Sequence, residues 1–256
     1  MTIDVTPRPS AAPRRTRVLA HTRLELTMLM RNGEQLLLTV VLPVGLLLVL
    51  TLTQIIDVGG SSRVDRLDIV VPSMFALAVL STSFTALAIQ TGFERRYGVL
   101  RRIGTTPLAR MDVLTGKGVA VLAIEAAQVA ALGALGFALG WRPDPVGVAL
   151  VVPLVLLGSA ALAALALLLA GVVRAEATLA VANLAYLVLA SAGVVVPVDK
   201  APASVQPILE LLPSAALAES LRVATMSGTV EWSLVAVLVA WGVAGAVSVS
   251  RWFRWD

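Results

Sequence analysis

Cysteine is absent from this 256-residue chain, which excludes disulfide staples, thiolate metal sites and cysteine nucleophiles while leaving the compartment open. Histidine occurs once, as His21. Charge is scarce as well: Asp, Glu, Lys and Arg make up 14% of the chain, against about 25% in an average one. Aromatics reach only 5%. Lys117 and Lys200 are the only lysines. That preference for arginine reads as codon bias in a GC-rich, bacterial genome and carries no mechanism. Residues 1–34 contain prolines and arginines but no apolar core followed by a small-residue cleavage site, so they do not form a secretory signal.

Apolar side chains are abundant. They account for 58% of residues, and the mean hydropathy is +0.89. A soluble domain of this length cannot bury so much apolar surface, so the solvent that accepts the chain is lipid. The excess is mostly Leu, Val and Ala, residues small enough to let membrane helices approach closely. A hydrocarbon core of about 30 Å needs roughly 20 apolar residues in a helix. Six stretches qualify, at about 36–56, 69–93, 118–140, 146–172, 177–198 and 232–250, and five of the six carry no charged residue or histidine.

Lys and Arg set the orientation. With six spans, both termini share a side. That side holds six arginines of the N-terminal tail, six basic residues of the loop around 94–117, and Arg174, Arg251 and Arg254, fifteen of the 20 basic residues. The other side holds five: Arg63, Arg66, Arg142, Lys200 and Arg222. Both termini are therefore expected in the cytoplasm. The pI near 10.3 is then a positive-inside signature, and nucleic acid is not expected as a partner.

The expected domain order is a disordered cytoplasmic tail over 1–16, an amphipathic interfacial helix over 17–34, and a six-helix transmembrane domain over 35–256. In the second of these, a helical projection puts Val18, Leu19, Thr22, Leu26, Leu29 and Met30 on an uncharged sector, with Arg17, His21, Glu25 and Arg31 outside it. Such a helix lies in the membrane interface; a solvated juxtamembrane helix is the plainer alternative. At the other end of the chain, the run from Arg251 through Trp252 and Phe253 to Arg254 and Trp255 reads as an interfacial anchor.

The cytoplasmic segment 94–110 runs Glu94-Arg95-Arg96-Tyr97-Gly98-Val99-Leu100-Arg101-Arg102-Ile103-Gly104-Thr105-Thr106-Pro107-Leu108-Ala109-Arg110. A short helix is expected to continue to about Ile103, with Gly104 as a left-handed stop. Thr106 is the expected N-cap of the next helix and Pro107 its first residue. The result is an arginine-rich helical turn beneath the membrane; a loop whose arginines only set topology is the alternative.

These residues resemble a family. Glu94, Arg95, Gly98, Leu100, Ile103, Thr106, Pro107, Leu108, Gly116 and Lys117 match the pattern of the ABC-2 type permeases. Before the last span, Pro207, Leu212-Pro213, Ala218-Glu219-Ser220-Leu221-Arg222 and Gly228 are similar to a segment of drug-exporter-like members. One departure is Leu212-Pro213, where many relatives carry Asn-Pro. The resemblance implies the transmembrane subunit of an ATP-driven exporter in a bacterial plasma membrane. It would work with a second copy or a homologous permease, and with separate ATPase subunits that hold ATP-Mg. Glu94, Arg95, Arg96, Gly98, Arg101, Arg102, Thr106 and Pro107 would couple it to the ATPase. The chain itself carries no expected cofactor or metal. Its Gly116-Lys117 is followed by Gly118 rather than Ser or Thr, and Met111 stands where a P-loop's first glycine would be.

Glu125 is the one charged residue well inside a span, where charge is costly and faces protein or water. Gln128, one turn on, is within reach of it. The pair either lines a pathway for polar or cationic cargo or clamps helices together; Gln90, Asn183 and Tyr186 are weaker pathway candidates. The outer segment 197–231 is divided by Pro197, Pro202, Pro207 and Pro213. It reads as a re-entrant-like cap or, alternatively, as an amphipathic helix resting on lipid.

Two other classes fit less well. A membrane enzyme needs clustered carboxylates, a His-based pair or an activated Ser, and His21 lies on the tail. A secondary transporter is expected to show internal repeats, and none joins 35–140 to 146–250.

Overall fold

The computed structural model describes residues 11–31, 33, 37–53, 60 and 62–253. The tail 1–10, both flanks of the first expected span, and Arg254 and Trp255 lie outside the described residues. The described chain is helical, with one isolated bridge between Ala192 and Val196. Helix α1 spans Arg14–Arg31. A π turn, Leu37–Val41, leads into α2, Leu42–Leu52. Helix α3 runs Arg63–Arg96 through a π segment at Leu80–Ala86. Then follow α4, Val99–Ile103, α5, Arg110–Leu139, α6, Pro145–Val172, and α7, Ala175–Ser191. After a 3-10 turn at Val198–Lys200 come α8, Gln206–Glu210, α9, Pro213–Ser227, and α10, Trp232–Trp252.

Four of these, α3, α5, α6 and α10, are long and apolar enough to cross a membrane. The stretches Thr39–Leu52 and Ala175–Ser191 are shorter apolar helices. The expected span at 177–198 is cut short because Gly193 turns the backbone at φ +93°, a conformation that side chains disfavour. Helix α1 begins at Arg14, three residues before its expected start.

Local chemistry explains the helix boundaries. Ser62 and Asp65 cap α3 reciprocally, at 3.1 and 2.9 Å. The Asp144 carboxylate accepts from the Val146 and Gly147 amides at 2.8 and 3.1 Å, and Pro145 fills the first position of α6. Pro213 opens α9 and Gly228 ends it.

Helix α3 is the centre: its most apolar stretch is almost wholly buried, while α5, α6 and α10 leave most of theirs on the surface. The surface itself is apolar, with Val152, Leu156, Leu184, Leu187, Val243 and Val247 all exposed. That is the exterior of a protein solvated by lipid.

Small residues bring the backbones together. A methyl group on Gly147 would collide with the Ala224 carbonyl, and one on Gly158 would stand 2.6 Å from Leu217. Along α6, Gly147 therefore meets the end of α9 and Gly158 meets its first half. Helix α9 lies antiparallel to α6, and its Pro213 end reaches more than about 16 Å along α6 from the Gly147 level. On the other side, a methyl on Gly245 would come within 2.7 Å of Ala164, marking the close approach of α10.

Candidate functional site

The arginine-rich turn is built differently from the expectation. Helix α3 stops at Arg96, and Gly98 supplies the left-handed residue at φ +67°, whereas Gly104 is right-handed at φ −62°. The break falls at Gly98 because the chain must reverse before α4 begins. Thr106 is not a helix N-cap. Its hydroxyl donates to the Ile103 carbonyl at 2.6 Å and accepts from the Leu108 amide at 3.3 Å. Pro107 does not open a helix; α5 starts at Arg110, with the Asp112 carboxylate taking the Ala109 amide at 3.4 Å.

Within this turn the arginines divide into two groups. Arg95 points inward and donates to the Ala170 and Val173 carbonyls, at 2.7 and 3.1 Å, satisfying the end of α6. Arg96 pairs with Glu176 at the start of α7 and lies over the Tyr97 ring, 5.8 Å from its centroid. Arg101 and Arg102 on α4 are exposed and make no side-chain bond with the described residues.

Beneath the turn lies a buried charge cluster. Lys117 Nζ sits 3.0 Å from Glu25 and 2.7 Å from Glu94. The Gln90 amide donates to both carboxylates. His21 stands 3.2 Å from Glu25. The exposed fractions of Glu25, Glu94 and Lys117 are 2, 7 and 3%. The cluster therefore ties α1 to the C-terminal end of α3 and the N-terminal part of α5. Arg14 adds a 2.6 Å contact to Asp112, and Arg17 donates to the Pro107 carbonyl. Gly116 makes the approach possible, since a methyl there would lie 2.5 Å from the His21 ring.

This corrects the reading of α1. His21 and Glu25, assigned to the outward sector, are buried, while Leu19 and Met30 from the uncharged sector are exposed. The protein-facing side of α1 is the polar one, because its charges have partners on α3 and α5. Gln90 belongs to this cluster and lies apart from the Glu125 group.

Mid-helix, Glu125 has no exposed surface. Its carboxylate accepts from Ser83 at 2.6 Å and from Ser159, joining α3, α5 and α6. Gln128 bonds elsewhere: it donates to the Thr39 carbonyl at 2.6 Å and accepts from Thr82 at 3.1 Å. The expected Glu125–Gln128 contact gives way to these partners on other helices. The π segment Leu80–Ala86 brings the neighbouring residues Thr82 and Ser83 to bear on α5 together. Tyr186 is buried on α7, its hydroxyl without a hydrogen-bond partner among the described residues, and Asn183 is half-buried on the same helix. The five pathway candidates thus fall in three places.

Sequence reasoning passed over Arg222 as a site residue. It is 3% exposed and donates to Ser73 at 2.9 and 3.1 Å, to the Gly193 carbonyl at 3.1 Å, to the Val194 carbonyl and to Glu219 at 3.0 Å. It fastens α9 and the turn at Gly193 to α3. The signal available was an arginine with mostly apolar neighbours, between Leu221 and Val223. Among the described residues, no three His, Asp or Glu side chains gather as metal ligands.

An all-helical, multi-pass membrane protein with a buried polar spine and an arginine-rich turn at one end is a transporter-type membrane domain. The sequence model of the ABC-2 type transporter family matches residues 16–226, and the chain belongs to that family. No curated protein matches it. The family is a transporter membrane component and is not itself catalytic.

Proposed function

We propose that the chain is the permease subunit of an ATP-binding-cassette exporter, with six spans, both termini in the cytoplasm of a bacterial cell, and a partner permease completing the pathway. The short apolar helices Thr39–Leu52 and Ala175–Ser191 are the first and fifth spans. The N-terminal helix, which starts at Arg14 rather than at residue 17, packs by its charged side on a six-helix transmembrane domain over 35–256. Segment 197–231 is the re-entrant outer cap, a reading supported by the depth of Pro213 along α6. The cargo is hydrophobic or amphipathic, such as a drug, lipid or glycoconjugate.

The observation that carries this reading is the asymmetry of the arginine turn. Arg95 and Arg96 hold the turn onto α6 and α7, while Arg101 and Arg102 are presented outward with no side-chain partner among the described residues. Guanidinium groups offered in this way suit charge-assisted contacts with acidic groups of a docked ATPase subunit. Below them, the cluster of Glu94, Lys117 and Glu25 stiffens the base of the turn. Glu125 serves as an interhelical clamp in this conformation. Gly98 and the Thr106–Pro107 bend shape the docking surface; Asn183 and Tyr186 remain pathway candidates on α7.

The test is a double charge reversal, Arg101→Glu with Arg102→Glu. The expected outcome is loss of ATPase co-purification with unchanged membrane insertion. Loss of insertion would show instead that these arginines only set topology.

A further inference from the structure

We propose that the groove between α6, α7 and α10 binds an anionic phospholipid, with an acyl chain along α6 and the headgroup phosphate at Arg251. The groove measures about 950 Å³, the upper range of small-molecule sites, which run from about 300 to 1,000 Å³. Leu165, Leu168, Leu169 and Val172 make its floor, at the spacing of one helix face. Val181 on α7 and Trp241 on α10 form walls. Its inner limit is Leu212-Pro213, where the Trp241 indole donates to the Leu211 carbonyl at 2.8 Å.

Length and charge select the occupant. From Trp241 to Trp252, helix α10 rises about 16 Å. That is roughly one leaflet, half of a hydrocarbon core of about 30 Å. Among the described lining residues the charge lies at the Trp252 and Phe253 end: Arg251 is there, exposed, with no side-chain bond to the described residues. Arg95 reaches the Val173 carbonyl at the same end, and Arg174 follows directly in the chain. None of the described lining residues is acidic, and Glu176 is engaged by Arg96. Phe253 folds back against Gly171, where a methyl would lie 2.5 Å from its ring, so the mouth is built by close packing. An apolar slot one leaflet long with guanidinium groups at its interfacial end complements an acyl chain ending in phosphate. The reading rests on the chain lying in a bilayer, as its family does, and is independent of how the ATPase docks.

The experiment is native mass spectrometry of the purified full chain in detergent, incubated with phosphatidylglycerol or phosphatidylcholine. The parent should retain phosphatidylglycerol preferentially. Arg251→Gln should reduce that preference by about fivefold, the weight of one guanidinium near anionic lipid, and Arg251→Lys should keep part of it. Leu169→Trp and Val181→Trp, filling the groove from two sides, should each remove the retained lipid, with helical circular dichroism confirming that they fold. An unchanged preference in Arg251→Gln, or unchanged lipid retention in both tryptophan variants, overturns the proposal. Loss of a dimeric mass in those variants with lipid retention intact would also overturn it, assigning the groove to a second copy of the chain.

Discussion

Replacing Lys117 by Met removes the cation shared by two buried carboxylates. The parent geometry holds Nζ at 3.0 Å from Glu25 and 2.7 Å from Glu94. At such separations, an effective dielectric of about 20 makes each attraction roughly 6 kcal/mol before desolvation is subtracted. The net quantity is smaller, but breaking a buried pair by deleting one partner costs about 3–5 kcal/mol, because the remaining charge stays buried. Here two carboxylates would remain, bridged by the Gln90 amide and flanked by His21. Lys117→Met is therefore expected to lose about 3–5 kcal/mol and to release α1 first, since α1 contributes Glu25 and His21. The triple variant Glu25→Gln, Glu94→Gln, Lys117→Met removes every fixed charge of the trio and should recover most of that loss. Denaturant titration in mixed micelles gives the stability. Trypsin cleavage at the exposed Arg23 reports whether α1 has come away. A Lys117→Met protein as stable as its parent, or a triple variant no better than the single, would refute the electrostatic account of this cluster.

The other variants test separate contacts. Glu125→Gln should be tolerated to within about 1 kcal/mol, because the amide can still bond Ser83 while the Ser159 hydroxyl rotates to accept; Glu125→Leu leaves both hydroxyls unpaired and should cost about 1–3 kcal/mol for each, measured by the same titration. If Glu125→Gln instead lowers transport of cationic cargo while sparing neutral cargo in paired uptake assays, the residue lines a pathway and the clamp reading fails. Arg222→Lys should be nearly as damaging as Arg222→Met, because an ammonium cannot reproduce the fork that reaches Ser73, Gly193 and Val194. Equal stability of Arg222→Lys and the parent, by thermal unfolding in detergent, would show that charge alone suffices there.

The apolar runs revealed the long helices because lipid requires them, and no partner information was needed. Asp144 with Pro145, and Leu212 with Pro213, start helices through local chemistry alone, a signal that the sequence reading did not use. The polar face of α1 was not legible for the opposite reason. A helical projection sorts residues by hydropathy, and charges go to water unless partners wait. Here they wait at Gln90 and Lys117, 65 and 92 residues from Glu25. The break at Gly98 was missed for a related reason: both Gly98 and Gly104 could end a helix, and only the tertiary path decides between them. Arg222 was counted among outer basic residues because its partners, a serine hydroxyl and two carbonyls of an earlier turn, have no sequence signature. Thr82 and Ser83 were hidden inside an apolar run until the π segment gave their hydroxyls a common target.

These contacts place constraints on how a force applied at α4 would travel. Arg95 joins the base of the turn to α6, Arg96 joins it to α7, and the Lys117 cluster joins it to α1 and α5. Four helices therefore share one anchor, and α4 cannot move far without moving α3. From Arg96 to Ser73, α3 spans about 35 Å, and Ser73 is where Arg222 fastens α9 and the turn at Gly193. Pro72, with no amide proton to give, is the one weak point of the α-helical ladder near that contact. The π segment at Leu80–Ala86 is another place where α3 can change register. A rigid α3 would carry motion directly from the turn to α9 and the turn at Gly193. A hinge at the π segment would absorb it at Glu125, where Ser83 and Ser159 meet. Spatial continuity does not decide between these outcomes; only a two-state element biased at both ends does. Ser73→Ala separates them. It loosens the outer fastening while leaving the turn untouched, so a rigid α3 predicts lost transport with intact ATPase docking, and a hinged α3 predicts little change in either.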